Sequence, residues 1–531
     1  MSASWLQQLE ALVRQQPALL RDIARGIEKE ALRVNADGML AQTPHPEDLG
    51  SALTHDCITT DYSEALLEFI TPVSTDIGAT LKQLEDVHTF VYRHLGDERL
   101  WSASMPCIVA GDAGIPVARY GNSSVGRMKT VYRLGLGHRY GRMMQAIAGI
   151  HYNFSMPDAY WLAAQKEDGD SRPPRDYVTA RYLGLIRNFH RWSWLLIYLF
   201  GASPAVCSSF MQGRGAHNLE PLDAESSTLH LPWATALRMG DLGYNSSAQL
   251  SLRACYNSLD NYLATLTDAI LTPHEGYAEF RGKRDGEYMQ LNDCLLQIEN
   301  EFYSTIRPKR PASSGETALT ALHERGIEYV EVRCLDVNPF HGAGIDEETI
   351  RFVDSFLVHC LVSESPACDE AEQDRQRENR ARVVNRGREA GLELIAADGP
   401  RRLSDWASEL LERMGASAAL LDSVHGGNRY ERALAAQSEK LVGRSELPSA
   451  RILRELREGG IPYSRLALNY SNRWARHFRE RPLDDDVARA LATESESSTK
   501  RQKALEEAEQ MSFEDYLAAY YQQYETIRAG L

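Results

Sequence analysis

The spacing of hydrophobic and polar residues changes several times along the chain, and each spacing predicts a different kind of element. Residues 4–27 repeat apolar side chains at helical spacing and predict an amphipathic helix. Residues 28–160 are rich in β-branched and aromatic runs that Gly and Pro interrupt, which favours strands. Residues 175–275 favour helices, residues 290–340 return to strand-like runs, and the pattern beyond residue 345 is mainly helical. We therefore predict a mixed α+β fold.

One uncharged segment is long enough to cross a membrane. Trp192–Gly213 carries no charge across 22 residues. A transmembrane helix needs ~20 predominantly apolar residues, whereas only Trp192–Ala202 is strongly apolar, because serines, Pro204 and Gln212 dilute the rest. We predict a buried core element here and no membrane span.

The remaining sequence signals are weak, and none of them marks a boundary between domains. Residues 366–382 and 494–509 are dense charge runs, which are typical of solvated helix faces or a loose surface connection. The segment Gly135–Gly141 resembles a dinucleotide fingerprint, but its third glycine comes one residue late, and we predict a loop. Because no clear linker or repeat is present, we predict one catalytic unit over residues 1–531, with its active-site core in 1–345 and a mainly helical part in 346–531.

Composition narrows the classes of partner. Lys and Arg number 58 and Asp and Glu number 74, giving a net charge of −16, which argues against binding to nucleic acid or an anionic membrane. The eight cysteines form no C-x-x-C pair, and the N-terminus has neither a basic flank nor a continuous apolar core. We therefore expect reduced thiols in a cytoplasmic protein.

Candidate chemistry comes from polar residues spaced by two inside strand-like runs, since that spacing puts both side chains on one face of a sheet. Glu28 and Glu30 share a face, and like charges so close repel unless a cation lies between them. His151 and Asn153 share another such face. The alternatives are an exposed edge strand or a helix turn for the glutamates, and a purely structural role for the histidine.

Two further runs add charged residues of the same kind. Glu331 and Arg333 share a strand face, or alternatively form part of a cross-strand ion-pair row. The acids Asp61, Glu64 and Glu68 fit either a helical face or a strand that carries Glu64 and Glu68. An acid inside an apolar run is costly unless it is paired or bound to a metal.

Together these runs predict a sheet with one carboxylate-rich face and one histidine. Oxygen ligands with a single imidazole suit Mg²⁺ or Mn²⁺ better than Zn²⁺. Arg133, Arg238 and Arg333 are available to balance phosphate charge. This combination is typical of phosphoryl transfer, in which metal ions and arginines hold a nucleotide triphosphate.

Several long motifs resemble the glutamate–cysteine ligases of the proteobacterial type. The resemblance is close over residues 20–345 and thins beyond, apart from a short run at 449–453. The motifs keep the family's order and rough spacing: RGIEKEALRVNADG (25–38), LGSALTHDCITTDYSEALLEFITP (49–72), GDERLWSASMP (96–106), GIHYNFSMP (149–157), LFGASPAVCSSF (199–210), LQIENEFYSTIRPKR (296–310) and GIEYVEVRCLDVNPF (326–340).

The resemblance implies a fold related to glutamine synthetase, with a curved antiparallel sheet around a funnel-shaped active site. It implies a ligase that makes γ-glutamylcysteine from L-glutamate, L-cysteine and ATP through a γ-glutamyl phosphate, the first step of glutathione biosynthesis. Mg²⁺ is the implied cofactor, with Mn²⁺ as a substitute, and we expect a monomer. Two alternatives remain: a γ-glutamyl ligase that uses another amine, and a binding or regulatory protein that has lost catalysis.

By motif position, the resemblance also implies roles for individual residues. The metal and nucleotide-phosphate site is implied to comprise Glu28, Glu30, Asp61, Glu68, His151 and Glu331. The phosphate and transition-state clamps are implied to be Arg238 and Arg333. Substrate binding is implied for Tyr62, Tyr132, Arg133, Leu136, Gln145, Asn153, Tyr244 and Tyr303. Tyr62 stands where the family usually has phenylalanine, so its hydroxyl is expected to change the polarity of the cysteine pocket.

Overall fold

An antiparallel sheet is built mostly from the first two-thirds of the chain, and helices dominate the remainder. The structure is a computed structural model that describes residues 5–106, 108–213, 217–222, 227–243, 249 and 252–531. Its strands are β1 Ala24–Val34, β2 Ile58–Thr60, β3 Leu66–Ile70, β4 Arg99–Leu100, β5 Gly149–Ser155, β6 Ala205–Cys207, β7 Glu220–Pro221, β8 Thr228–His230, β9 Lys283–Arg284, β10 Glu287–Tyr288, β11 Ile306–Lys309, β12 Tyr329–Asp336, β13 Glu393–Ala396 and β14 Gly399–Arg402. Its α-helices are α1 Trp5–Gln15, α2 Ala18–Arg21, α3 Ile77–His94, α4 Ser124–Tyr140, α5 Asp158–Asp168, α6 Pro174–Trp192, α7 Trp194–Phe200, α8 Leu259–Leu271, α9 Ala318–Arg325, α10 Glu347–Val362, α11 Glu370–Arg386, α12 Leu403–His425, α13 Arg429–Leu441, α14 Pro448–Gly459, α15 Tyr463–Glu480, α16 Asp485–Ala508 and α17 Phe513–Gly530.

The main sheet has seven strands in the order β11-β12-β5-β1-β3-β2, with β4 paired to the far end of β1. Neighbouring strands are antiparallel. One face carries buried apolar side chains such as Ile27, Ile150 and Phe154, and helices α3, α6 and α7 pack against the strands. The other face is polar. The predicted α+β fold with an antiparallel sheet is confirmed.

The N-terminal prediction was wrong in its length. The predicted helix over 4–27 ends at Gln15, a short second helix follows Pro17, and the chain is already in β1 at Ala24. Proline has no N–H for the helical ladder, which favours a break at Pro17. Residues Ala24–Lys29 then pair along β5, so sheet pairing overrides the helical spacing of their apolar side chains.

The loop predicted at Gly135–Gly141 was also wrong, because residues 135–140 are the last turns of α4 and only Gly141 lies beyond it. A Cβ atom at Gly135 would collide with the Gln297 side chain, and one at Gly137 would collide with Tyr62. These glycines therefore permit close packing rather than a turn. Helices α3 and α4 likewise interrupt the region 28–160, where the pattern favoured strands.

The other predictions along the chain agree with the structure in outline. Residues 175–275 hold α6–α8 but also the small sheet β6-β8-β7. The uncharged segment forms the buried helix α7 and the buried strand β6, and no described helix is long and apolar enough to span a membrane. Beyond residue 345 the chain is helical except for the β13–β14 hairpin, and the two charge runs lie largely in α11 and α16.

Candidate active site

A cavity of about 550 Å³ lies over the polar face of the main sheet. Strands β1, β3, β5 and β12 supply its floor, α4 supplies one wall, and α17 contributes Tyr516 and Tyr520. The side chains predicted to bind metal and phosphate all line it except Arg238: Glu28, Glu30, Asp61, Glu68, His151, Glu331 and Arg333.

Strand register explains why residues far apart in sequence meet here. Glu28 on β1 lies opposite His151 on β5, and Glu30 lies opposite Glu68 on β3. On β12, Glu331 lies opposite Asn153, the next residue on the same face of β5. The alternation along each strand fixes the face, and the pairing then brings the carboxylates together.

His151 is the centre of the cluster. Its Nδ1 lies 3.1 Å from Glu28 Oε2 and 3.7 Å from Glu331 Oε1, and its Nε2 lies 3.6 Å from Glu30 Oε1. Two sets of possible ligand atoms result, Glu28–His151–Glu331 and Glu30–Glu68–His151, and the atoms of each set lie within 4.8 Å of one another. Asp61 lines the same cavity but belongs to neither set.

The four glutamates differ in their preference for protons. Burial raises the pKa of Glu68 well above its ordinary value, and the charges of Glu28, Asp61 and Glu30 raise it further. Burial also raises the pKa of Glu30, although His151 opposes the shift. Two carboxyl groups in the cluster thus resist ionisation as long as no cation offsets their charge.

Glu28 and Glu331 are held ionised instead. Burial opposes ionisation of Glu28, but the hydrogen bond from His151 and the charges of His151 and Lys309 together lower its pKa. Burial likewise opposes ionisation of Glu331, but the positive charges of Lys309 and Arg333 hold its pKa well below the ordinary value. Lys309 Nζ lies 3.6 Å and Arg333 Nη1 lies 3.0 Å from Glu331 Oε1.

Two buried polar atoms of the cluster have no hydrogen-bond partner among the described residues. They are Nε2 of His151 and Oε2 of Glu331, both with almost no exposure. When Nδ1–H of His151 donates to Glu28, Nε2 carries the lone pair that a metal ion can accept. Buried polar atoms are rarely left unsatisfied, so these two atoms fit a site that holds a cation.

Two predicted residues do not line the cavity. Arg238 is buried and donates from Nη2 to the backbone carbonyl of Arg333 at 3.0 Å, with Asp336 at 3.9 Å. Asn153 donates to Glu28 Oε1 at 2.9 Å. Both residues contact residues of the site without lining the cavity, and their predicted roles toward substrate stay predictions.

Most of the residues predicted to bind substrate gather on the α4 side of the cavity. They are Tyr62, Tyr132, Arg133, Leu136, Gln145 and Tyr303. Gln145 donates to the Tyr303 hydroxyl at 3.1 Å, and Arg133 donates from Nε to the backbone carbonyl of Asp61. The Tyr62 hydroxyl is buried with no hydrogen-bond partner. Tyr244 lies outside the described residues.

Comparison with known proteins agrees with this geometry. The family described as Glutamate-cysteine ligase matches residues 7–383. The chain belongs to the glutamate–cysteine ligase family. Its relatives include the glutamate–cysteine ligase of Alcanivorax borkumensis, which is 51% identical over 521 residues and covers 97% of this chain and 99% of its own. That of Azotobacter vinelandii is 52% identical over 506 residues, 95% of each chain.

Solved structures support the same assignment. The glutamate–cysteine ligase of Francisella tularensis, crystallised in complex with AMP, superimposes with a TM-score of 0.89 at 35% identity and covers 95% of this chain and 99% of its own. A bifunctional glutathione synthetase from Pasteurella multocida shares the fold, with a TM-score of 0.69 at 23% identity over 89% of this chain and 55% of its own. The predicted family and ligase class are confirmed.

Sequence reasoning missed several residues of this ligase's cavity. Arg307 and Lys309 of β11 and Lys129 of α4 line it and add positive charge. The alternation of Arg307 and Lys309 along one strand face could have identified that pair, since Arg307 pairs with Glu331 in register. Tyr516 and Tyr520 carry no such signal, because α17 reaches the cavity only through the tertiary fold.

Proposed function

We propose that the chain joins the γ-carboxylate of L-glutamate to the α-amine of L-cysteine, with conversion of ATP to ADP and phosphate. The observation that carries the proposal is the single cavity in which four glutamates, Asp61 and His151 face Arg333 and Lys309. The ligase names of the relatives and the AMP complex of the Francisella tularensis structure support the same substrates.

Mg²⁺ is the proposed cofactor, with Mn²⁺ as a substitute. The donor set fits these ions, because it is dominated by carboxylate oxygens with one imidazole. A cation also offsets the repulsion that raises the pKa of Glu68 and gives partners to His151 Nε2 and Glu331 Oε2. Bound there, it supplies positive charge to the phosphates of ATP. The proposed ligands are Glu28, Glu30, Asp61, Glu68, His151 and Glu331.

ATP is needed because a carboxylate does not react with an amine at neutral pH. The γ-carboxylate of glutamate takes the γ-phosphoryl group, and ADP leaves. The cysteine amine then attacks the carbonyl carbon of the γ-glutamyl phosphate, loses a proton, and phosphate leaves. Arg333 and Lys309 place fixed positive charge beside the transferring group, where negative charge accumulates.

The amine is proposed to lie on the α4 side of the cavity. Tyr132, Leu136 and Tyr303 provide a mainly apolar wall there, and the hydrogen bond from Gln145 holds the Tyr303 ring in place. Such a wall distinguishes small side-chain differences by only ~1–3 kcal/mol, so 2-aminobutyrate is expected to be accepted to some degree.

We also propose that residues 1–531 act as one catalytic unit, as a monomer in the cytoplasm. Tyr516 and Tyr520 of the C-terminal helix α17 line the same cavity as Glu28 and His151, which supports a single unit. Light scattering coupled to gel filtration tests the monomer, with an expected mass near 59.6 kDa.

The activity is tested by following ADP release with Mg-ATP and L-glutamate, with L-cysteine, 2-aminobutyrate, putrescine or no amine, while mass spectrometry identifies the product. The proposal predicts release that requires glutamate, is fastest with cysteine, and yields γ-glutamylcysteine. ADP release only with another amine would support the ligase reaction but contradict cysteine as the amine substrate. Folded protein that releases no ADP with any amine would support the catalytically inactive alternative.

A further inference from the structure

A second cavity, of about 140 Å³, lies between α6, α11 and the segment that ends in Tyr303 and Ser304. We call it the arginine cavity, because its described lining includes four arginines and neither Asp nor Glu: Arg187, Arg253, Arg377 and Arg380. A chain of net charge −16 has no general excess of basic residues, so this concentration of positive charge is local.

One face of α11 forms the wall that carries the uncompensated charge. Gln373, Gln376, Arg377 and Arg380 follow the i, i+3, i+4, i+7 spacing that puts side chains on one side of a helix. The described structure gives Arg377 and Arg380 no hydrogen bond and no ion pair, although both are partly buried. Burial lowers the pKa of Arg380, and the nearby charge of Arg377 lowers it further.

The other two arginines are fixed in place by the protein. Arg187 donates to three backbone carbonyls, of Tyr256 at 2.8 Å, Ser365 at 2.9 Å and Pro366 at 3.2 Å. It forms no ion pair with a described residue, although the charge of Glu372, which pairs with Arg191, partly offsets its own. Arg253 lies 3.0 Å from Asp374, which compensates its charge. Among the described residues, the charges of Arg377 and Arg380 therefore have no counterion and that of Arg187 is only partly offset, which costs free energy unless an anion binds.

We propose that the arginine cavity binds a compact anion with two or more negative charges, carried by a phosphoryl group or by two carboxylates. The small volume excludes a nucleotide, since drug-sized ligands occupy about 300–1,000 Å³. Planar guanidinium groups bind phosphoryl and carboxylate oxygens with paired hydrogen bonds. Tyr303 lines this cavity as well as the active-site cavity, so one residue would lie beside both ligands.

Isothermal titration calorimetry of the full chain with inorganic phosphate and, separately, succinate tests the proposal, at constant ionic strength and without Mg²⁺ or nucleotide. Wild type is expected to bind at least one probe saturably, and the probe that binds identifies the anion class. Arg380→Gln and Arg377→Gln are each expected to weaken binding about tenfold or more, because each removes a charge-assisted contact. Arg386→Gln, an exposed change on the same helix, is expected to alter the affinity less than about twofold.

Arg333→Gln distinguishes this cavity from the active site. The proposal predicts that this variant binds the probe like wild type. Without a probe, Arg380→Gln is expected to keep or raise the melting temperature, because it removes repulsion with Arg377. The proposal is overturned if neither probe saturates wild type, if both cavity variants bind like wild type, or if only Arg333→Gln loses binding.

Discussion

Replacing Glu68 with glutamine separates two effects of the carboxylate cluster. One is the repulsion that destabilises the metal-free protein, and the other is the role of the cluster in metal binding and turnover. Glu68 lies opposite Glu30 in the sheet, and its carboxylate, that of Glu30 and a His151 nitrogen lie within 4.8 Å of one another. Burial, followed by the charges of Glu28, Asp61 and Glu30, raises the pKa of Glu68. Glu68→Gln keeps the shape of the side chain and removes its charge, so it relieves this repulsion whenever no cation is bound.

The magnitude follows from Coulomb's law. Two unit charges 4.8 Å apart repel by about 3.5 kcal/mol at an effective dielectric constant of about 20. For 531 residues, an unfolding entropy of about 2.1 cal/mol/K per residue converts this repulsion to about 3 °C in Tm. The separation of 4.8 Å is the largest that these atoms can have, and Glu28 and Asp61 add further repulsion, whereas protonation at the raised pKa relieves part of it. A rise of about 3 °C is therefore the expected scale for the metal-free variant.

Differential scanning calorimetry with and without Mg²⁺ measures the melting temperatures, and the ADP-release assay measures turnover. Glu68→Gln is expected to melt at or above the wild-type temperature without metal, to lose most of the Mg²⁺-dependent rise in Tm, and to turn over at least about 100-fold more slowly. The matched control is Glu412→Gln on α12, which is exposed and has no described polar partner; it should leave all three quantities unchanged. A variant that melts lower and turns over like wild type would refute the metal-site reasoning.

Three further predictions concern the same cavity. Because the pKa of Glu68 is raised, protons compete with Mg²⁺ for its carboxylate. The rise in Tm caused by Mg²⁺ should therefore be larger at about pH 8 than at about pH 5.5, and equal rises would contradict this prediction. Tyr62→Phe should keep stability or raise it by up to about 1 kcal/mol and leave KM for cysteine within about threefold, because the buried hydroxyl has no partner among the described residues. A clear loss of stability would show that the hydroxyl is bonded. Lys309→Met should lower kcat/KM for ATP about tenfold or more, because it removes a charge 3.6 Å from Glu331. The control Lys166→Met, on the surface, should leave kcat/KM unchanged. Equal effects of the two variants would show that Lys309 has no role in the site.

The sequence predicted the polar face of the sheet well, because strand alternation is a local property. Glu28, Glu30, His151 and Glu331 lie on that face as their spacing of two indicates. The pattern alone could not say which residue lies opposite which, since register depends on pairing between distant strands. It also left Asp61–Glu68 open between helix and strand; the structure puts Glu68 in β3 and leaves Glu64 before the strand.

Other features are set by tertiary contacts that leave no local signal. The glycines at 135 and 137 appeared to mark a loop, yet they allow α4 to approach Gln297 and Tyr62. Tyr516 and Tyr520 reach the cavity from a helix near the end of the chain, where no local sequence pattern indicates a contact with the sheet. The arginines of α11 belong to a run that composition alone describes as a solvated helix face, and only the packed structure shows that Arg377 and Arg380 line a cavity.

The most direct test of the central claim is to locate divalent cations in crystals of the wild-type protein grown with Mn²⁺ and a non-hydrolysable ATP analogue. Anomalous scattering identifies Mn²⁺ without reference to activity. The account predicts peaks within the carboxylate cluster, one bound by Glu28, His151 and Glu331 and another by Glu30 and Glu68. A nucleotide bound in the cavity with no anomalous peak at these carboxylates would contradict the account.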